Sequence, residues 1–245
     1  MATNILKLKS GRKIYYSTKE SIENKLISNK IKLNNLTDLE NKVYEGGLKI
    51  WECSLDLCYF IDSMSFEGFN VLELGCGAGL PSIVAALNGA ASLTLQDFND
   101  YVLEANTKIN FQLNGIDLSK CSFVKCDWAN CLELEGAIPE NRDFFPQGPR
   151  FSGIALEGFK KFDIILTSET IYNEENYLDL LEIMNKLLNN EGEIYLAAKN
   201  YYFGLSGSIP AFQSLIETQG IFNCQQVWKT TKSAVERKIL KIKRI

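Results

Sequence analysis

Val71-Leu-Glu-Leu-Gly-Cys-Gly-Ala-Gly79, followed one helix length later by Ser92-Leu-Thr-Leu-Gln-Asp97, is the stretch that decides the fold. It specifies a strand, a tight glycine loop, a helix, a second strand and a terminal carboxylate within one βαβ length. Glycine lets the chain turn sharply off the first strand and lets its backbone approach a ligand closely. Asp97 closes the second apolar run, where its carboxylate can accept hydrogen bonds from a ribose diol. A hydrogen bond to a charged acceptor contributes roughly 1.5–3 kcal/mol. The unit therefore describes a nucleoside cofactor site, and Asp97 argues against a glycine turn without a ligand.

The glycine spacing narrows the nucleoside. A dinucleotide fingerprint begun at Gly75 requires glycine at position 80, where the chain has Leu80. A P-loop requires lysine and a hydroxyl residue at the end of the loop, and Leu80-Pro81-Ser82 supplies no lysine. What remains, acidic-x-Gly-x-Gly-x-Gly with Glu73 in the acidic position, resembles motif I of the Rossmann-like S-adenosylmethionine-dependent methyltransferases. That resemblance implies S-adenosylmethionine as cofactor and S-adenosylhomocysteine as product. It makes Glu73, Gly75, Cys76, Gly77, Gly79 and Asp97 candidates for the cofactor site.

Outward from this unit the chain alternates in the manner of a doubly wound α/β domain. Strands are expected at 70–74, 92–96, 121–126, 162–167 and 193–198, with helices at 50–64, 80–88, 100–113, 174–189 and 208–219. Phe162 to Thr167 is a continuous apolar run suited to a central strand buried on both faces. Two further strands, near 221–229 and 234–244, are joined by Thr230-Thr-Lys-Ser233. The expected architecture is a Rossmann-like sheet of seven strands, mostly parallel with the last strand antiparallel, and helices on both faces. Residues 41–245 form this domain. Residues 1–40 form an N-terminal arm, with a small hairpin around Ser10-Gly11 and then a polar, irregular or partly helical stretch. The segment from Trp128 to Lys161 holds Pro139, Pro146 and Pro149 and is too long for an ordinary connection. It reads as a helix-plus-loop insertion, mobile around Pro139 to Ser152.

Composition bounds the function. Among 245 residues, 46% are hydrophobic and 23% charged, and no apolar run reaches the ~18 residues of a membrane span. The formal net charge of −4 is poorly suited to gripping a phosphate backbone, so a basic protein is a more natural partner than a nucleic acid. The N-terminal sequence has neither a secretory apolar core nor an arginine-rich leader, and the expected location is cytoplasmic or nuclear. Seven cysteines without a Cys-x-x-Cys pair, in a chain with no histidine, argue for reduced thiols and against a metal site. The absence of histidine also removes the commonest general base.

Ligands in such sheets bind beyond the carboxyl ends of the strands. Asn99 follows the second strand beside Asp97. Asp127 and Trp128 follow the third, placed for an adenine amine and ring face. Ser168, Glu169, Tyr172 and Asn173 follow the fourth. Ser168 joins the cofactor set, and the other three become candidates to orient an acceptor nitrogen. Asn173 also fits a helix cap. Lys199, Tyr201, Tyr202 and Phe203 follow the fifth strand as candidate substrate contacts. Three adjacent aromatics cannot all face the core, so at least one is expected at the mouth of the site.

Three signatures surround the glycine loop: Tyr44-Glu-Gly-Gly-Leu-Lys-Ile-Trp-Glu-Cys-Ser-Leu-Asp-Leu57, Thr167-Ser-Glu-Thr-Ile-Tyr-Asn173 and Ala198-Lys-Asn-Tyr-Tyr-Phe-Gly204. Together they resemble the protein-histidine N-methyltransferase family that modifies ribosomal protein L three of the large subunit. The resemblance implies methylation of a histidine tele nitrogen on a basic, ribosomal protein. It also implies that Trp51 lies over the cofactor. Two other readings share the fold: a protein-lysine N-methyltransferase, and a cofactor-binding assembly factor without catalysis.

Overall fold

A computed structural model describes residues 2–29, 31, 43–131, 161–231 and 233–245. The expected insertion around 139–152 and the arm from 32 to 42 lie outside them. The main sheet contains β3 (Asn70–Leu74), β4 (Ser92–Asp97), β5 (Cys121–Lys125), β6 (Phe162–Ser168), β7 (Leu188–Lys199), β8 (Phe222–Lys229) and β9 (Arg237–Arg244). Its order is β5-β4-β3-β6-β7-β9-β8. β5, β4, β3, β6 and β7 run parallel to one another, while β9 pairs antiparallel with both β7 and β8. The chain order reverses at β3, which lies between β4 and β6. In an open α/β sheet this switch point opens the crevice where a ligand binds.

The strand alternation of side chains divides the core into two layers. Val71, Leu93, Leu95, Ile164 and Leu166 face one side, against α2 (Glu52–Ile61) and α3 (Leu80–Leu87). Leu72, Leu74, Ile165, Leu196 and Leu240 face the other, against α6 (Tyr177–Leu187) and α7 (Ile209–Gln219).

The arm is more closely integrated than its polar composition implies. β1 (Thr3–Lys7) and β2 (Lys13–Ser17) form the expected hairpin, and α1 (Lys19–Ser28) follows. Leu6, Leu8 and Ile14 are buried in the same apolar cluster as Leu57 and Ile83. At the hairpin turn, the Ser10 amide donates to Asp62 Oδ2 at 2.7 Å, and Arg12 pairs with Asp62 Oδ1 at 2.9 Å.

Two element boundaries differ from the sequence expectation. The strand expected from 193 begins at Leu188, cutting short the helix expected to reach 189. The helix expected at 100–113 is interrupted: Asp100–Val102 (α4) and Lys108–Leu113 (α5) flank a π-helical turn, Leu103–Thr107. The π turn re-aims polar side chains at the glycine loop. Thr107 Oγ1 donates to Gly77 O at 2.6 Å, and Asn110 Nδ2 donates to Ala78 O at 3.0 Å.

Candidate functional site

A cleft opens beyond the ends of β3, β4, β5 and β6. Its floor is the glycine loop. Gly75 and Gly77 adopt left-handed φ values of 60° and 49°. A Cβ at Gly75 would lie 2.7 Å from the Thr170 methyl group, and one at Gly77 would lie 3.2 Å from Gly47 O, so both positions require glycine. Gly79 and Cys76 also line the cleft, as do Asp127, Trp128, Ser168 and Trp51.

Asp97 enters the cleft from the end of β4. Its Oδ2 accepts the Gly77 amide at 2.9 Å, and its Oδ1 accepts the Asn99 amide at 3.2 Å. Burial pushes its pKa up to about 6 against the lowering effect of these amides. The carboxylate is therefore fixed in direction while keeping lone pairs for a diol.

Three expected site residues stand elsewhere. Glu73 does not line the cleft, which corrects its expected cofactor contact. It is buried beneath the loop and accepts the Ser82 amide at 3.0 Å, tying the first turn of α3 to β3. Burial raises its pKa to about 8. Asn99 is a brace rather than a wall: its side chain donates to Val43 O at 3.0 Å and holds the approach to Glu45. Asn173 is not a pocket wall either. Its side chain accepts the Glu175 amide at 3.1 Å and caps the short 3₁₀ turn Glu174–Asn176, because an Asx side chain ahead of an exposed helix start finds free amides nearby.

Gln96 escaped the sequence reading and is central. Its Oε1 accepts both the Gly75 amide at 3.0 Å and the Trp128 indole N–H at 2.9 Å, while its Nε2 donates to Cys126 O at 2.9 Å. One buried amide thus joins the glycine loop to the adenine-side wall. Its polarity gave no cue, because Thr94 repeats the same pattern within β4. Cys126 and Cys131 are joined by a disulfide across that wall, which differs from the expectation of reduced thiols. The five-residue spacing brings their Cα atoms to 5.6 Å through the turn after β5.

A second cavity adjoins the first and shares Glu45, Trp51, Glu169 and Tyr172 with it. Lys199, Tyr201, Tyr202 and Phe203 line its far side, so the structure gathers all four residues expected at the substrate into one cavity. The Trp51 indole N–H donates to Gly46 O at 3.0 Å, which fixes the ring between the two spaces. The Tyr172 hydroxyl donates to Glu45, and burial followed by that carboxylate raises its pKa. Glu45 also went unremarked, although it stands within the Tyr44 to Leu57 signature.

Glu169 has the least ordinary environment in the cleft. It is a non-glycine residue at φ 58°, in backbone strain that costs of order 1 kcal/mol or more. It is 9% exposed, and neither carboxylate oxygen has a hydrogen-bond partner among the described residues. The Lys199 ammonium lies 3.7 Å from Glu169 Oε1 and 3.3 Å from Glu52 Oε2. Burial, and then the charge of Glu169, raise the pKa values of the Cys53 thiol and the Tyr202 hydroxyl. A buried carboxylate that faces an ammonium at 3.7 Å yet accepts no hydrogen bond keeps acceptor capacity for a ligand N–H.

Comparison with known proteins agrees with this geometry. Residues 65–235 match a family model described as a methyltransferase domain. The chain is 37% identical to the histidine protein methyltransferase 1 homolog of Dictyostelium discoideum and 40% identical to that of Mus musculus. Each match covers 76% of this chain and 53% of the relative, so the chain spans about half the length of these curated relatives. Among solved structures, a magnesium protoporphyrin IX methyltransferase from Synechocystis with bound S-adenosylhomocysteine superposes with a TM-score of 0.53 at 14% identity, covering 78% of this chain and 80% of that one.

Proposed function

This chain belongs to the methyltransferase-domain family, and on that premise we propose that it uses S-adenosylmethionine to methylate the tele nitrogen of a protein histidine. The proposed target is a histidine of ribosomal protein L three of the large subunit, met in the cytoplasm or nucleus. The observation that carries the reading is the wall shared by two cavities, with the buried Glu169 carboxylate set in it beside Lys199 and accepting no hydrogen bond among the described residues. The three sequence signatures and the names of the relatives support histidine as the acceptor.

The residues present fit the cofactor. Asp97 keeps free lone pairs for the ribose diol, the glycine loop leaves room for close backbone approach, and Asp127 with Trp128 faces the position of the base. Bound there, S-adenosylmethionine supplies an electrophilic methyl carbon on a cationic sulfur. The chain supplies position. Imidazole has an ordinary pKa near ~6.5, so at neutral pH one ring nitrogen already holds a lone pair and no strong base is required. Glu169 accepts the N–H of the proton-bearing nitrogen, which turns the other lone pair toward the cofactor cleft. Trp51 and Tyr172 confine the ring at the shared wall. Orientation of this kind lowers a barrier by up to roughly 7–11 kcal/mol. Transfer would break the methyl–sulfur bond, its electron pair staying on sulfur, and would leave the methylated ring cationic beside Glu169, where its N–H proton can pass to that carboxylate or to water.

Incubation with tritiated S-adenosylmethionine and the ribosomal proteins of the same source, followed by amino-acid analysis, tests the proposal. Label in methyl-histidine is expected. Because the chain contains no histidine, self-methylation does not contaminate that signal. Label in methyl-lysine alone refutes the acceptor, and S-adenosylhomocysteine binding without any labelled protein favours an assembly role.

A further inference from the structure

Beyond the acceptor pocket itself, the loop after β7 holds an apolar surface out at the pocket mouth. Phe203 is 85% exposed, Tyr201 55% and Leu205 46%. All three line the cavity that shares Glu169 and Tyr172 with the cofactor cleft. Exposure of this kind is costly in solvent, and here the loop is tied down in a way that maintains it. Tyr201 and Ser208 form an antiparallel bridge, and the Gly207 amide donates to Tyr172 O at 2.9 Å. The Glu174 amide donates to Ser206 Oγ at 3.0 Å. A Cβ at Gly207 would lie 2.1 Å from Ile171 O, so the loop is seated directly on the segment that carries Tyr172. Tyr202, by contrast, turns inward and is buried.

We propose that Tyr201, Phe203 and Leu205 form a docking surface for an apolar side chain one or two residues from the methylated residue, within a basic segment of the protein substrate. The assignment of this cavity to a protein acceptor rests on the function proposed above. Three aromatics in sequence therefore divide their work: Tyr202 walls the target ring, and its two neighbours hold the residue beside it. Continuity of the surface with the acceptor cavity keeps the anchor close in sequence to the target, since one extended residue advances ~3.3 Å. The charge of the occupant follows from the rim. Glu174 and Glu175 are exposed beside the loop, and the Lys199 cation is held between Glu52 and Glu169. The chain as a whole carries −4. Lysine or arginine around the apolar anchor complements that rim.

The test compares the wild type with a Phe203→Ser, Leu205→Ser double variant and with Phe203→Tyr, using tritiated S-adenosylmethionine and ribosomal proteins of the same source. The expected result for the double variant is a rise of about tenfold or more in half-saturating acceptor concentration. Its maximal rate and affinity for S-adenosylhomocysteine stay within about twofold, as for a surface outside the chemistry, and Phe203→Tyr restores tight acceptor use. Unchanged half-saturation in the double variant overturns the docking surface, as does a loss confined to maximal rate. A raised half-saturation with label in methyl-lysine supports the surface while refuting the histidine reading, so the two inferences fail separately.

Discussion

Lowering the pH through 6 is expected to loosen the cofactor's nucleoside product, because the diol needs an ionised Asp97 and burial has raised that group's pKa to about 6. Near pH 7.5 the carboxylate is almost wholly ionised. Near pH 5 about one molecule in ten retains the charge, so affinity for S-adenosylhomocysteine falls by about tenfold, or 1.4 kcal/mol, and by a similar factor for each further unit. Asp97→Asn removes a charged acceptor worth roughly 1.5–3 kcal/mol, so it binds roughly ten- to 150-fold more weakly at neutral pH, with a flat profile. Isothermal titration calorimetry from about pH 5 to pH 8, in buffers of different ionisation enthalpy, reads both the affinity and the proton released on binding. The same group has a stability consequence of definite sign. A carboxylate whose folded pKa is raised stabilises the fold below its unfolded pKa, near ~3.9, and that contribution is lost as pH rises through about 6. The ligand-free protein should therefore lose up to about 3 kcal/mol between pH 4 and neutrality at this position, and Asp97→Asn should remove the slope. A wild-type binding profile flat through pH 6 would refute the placement of the diol, and an unchanged stability slope in Asp97→Asn would refute the raised pKa of that carboxyl.

Other substitutions separate the roles. Glu169→Gln should keep S-adenosylhomocysteine affinity within about twofold and lower kcat by roughly a hundredfold or more, as misorientation of an acceptor does; unchanged turnover would remove Glu169 from the acceptor site. Gln96→Leu leaves the Gly75 amide and the Trp128 indole N–H without their acceptor, at about 1–3 kcal/mol each. Its expected signature is weaker cofactor-product binding together with altered tryptophan emission, and normal binding would contradict the clamp. Gly207→Ala forces backbone apart at Ile171 and should cost at least ~1–3 kcal/mol in urea unfolding, with a matching loss of acceptor turnover. Alkylation after unfolding without reductant should modify the five free cysteines and spare Cys126 and Cys131; modification of all seven would place that pair in the thiol form.

Much of the fold was legible because its signals are local. The Val71 to Gly79 run, the alternation along β4 and the apolar run of β6 each depend on neighbours within a few residues. The π turn at Leu103–Thr107 was not legible, because it answers to distant partners in the glycine loop. Glu73 matched a sequence pattern but serves the loop from beneath it, and the distinction lies in which face of β3 meets α3. Asn173 had two local uses, and the free amide of Glu175 took it. Gln96 and Glu45 carried no periodic or compositional mark. Their importance comes from groups brought to them by other strands and by the segment ahead of α2.

By itself the sequence determined the βαβ cradle and its preference among nucleosides, since glycine spacing and a strand-end carboxylate are properties of one short stretch. Its three signatures pointed to the acceptor class. Only the tertiary structure decided that Glu169, Tyr172, Trp51 and Glu45 form one wall between two cavities, and that Tyr202 turns inward while Tyr201 and Phe203 remain outside. Those relations join residues more than a hundred positions apart in the chain. Contacts of the loop after β6 and of the end of β7 with the segment ahead of α2 set them, and no local pattern encodes these.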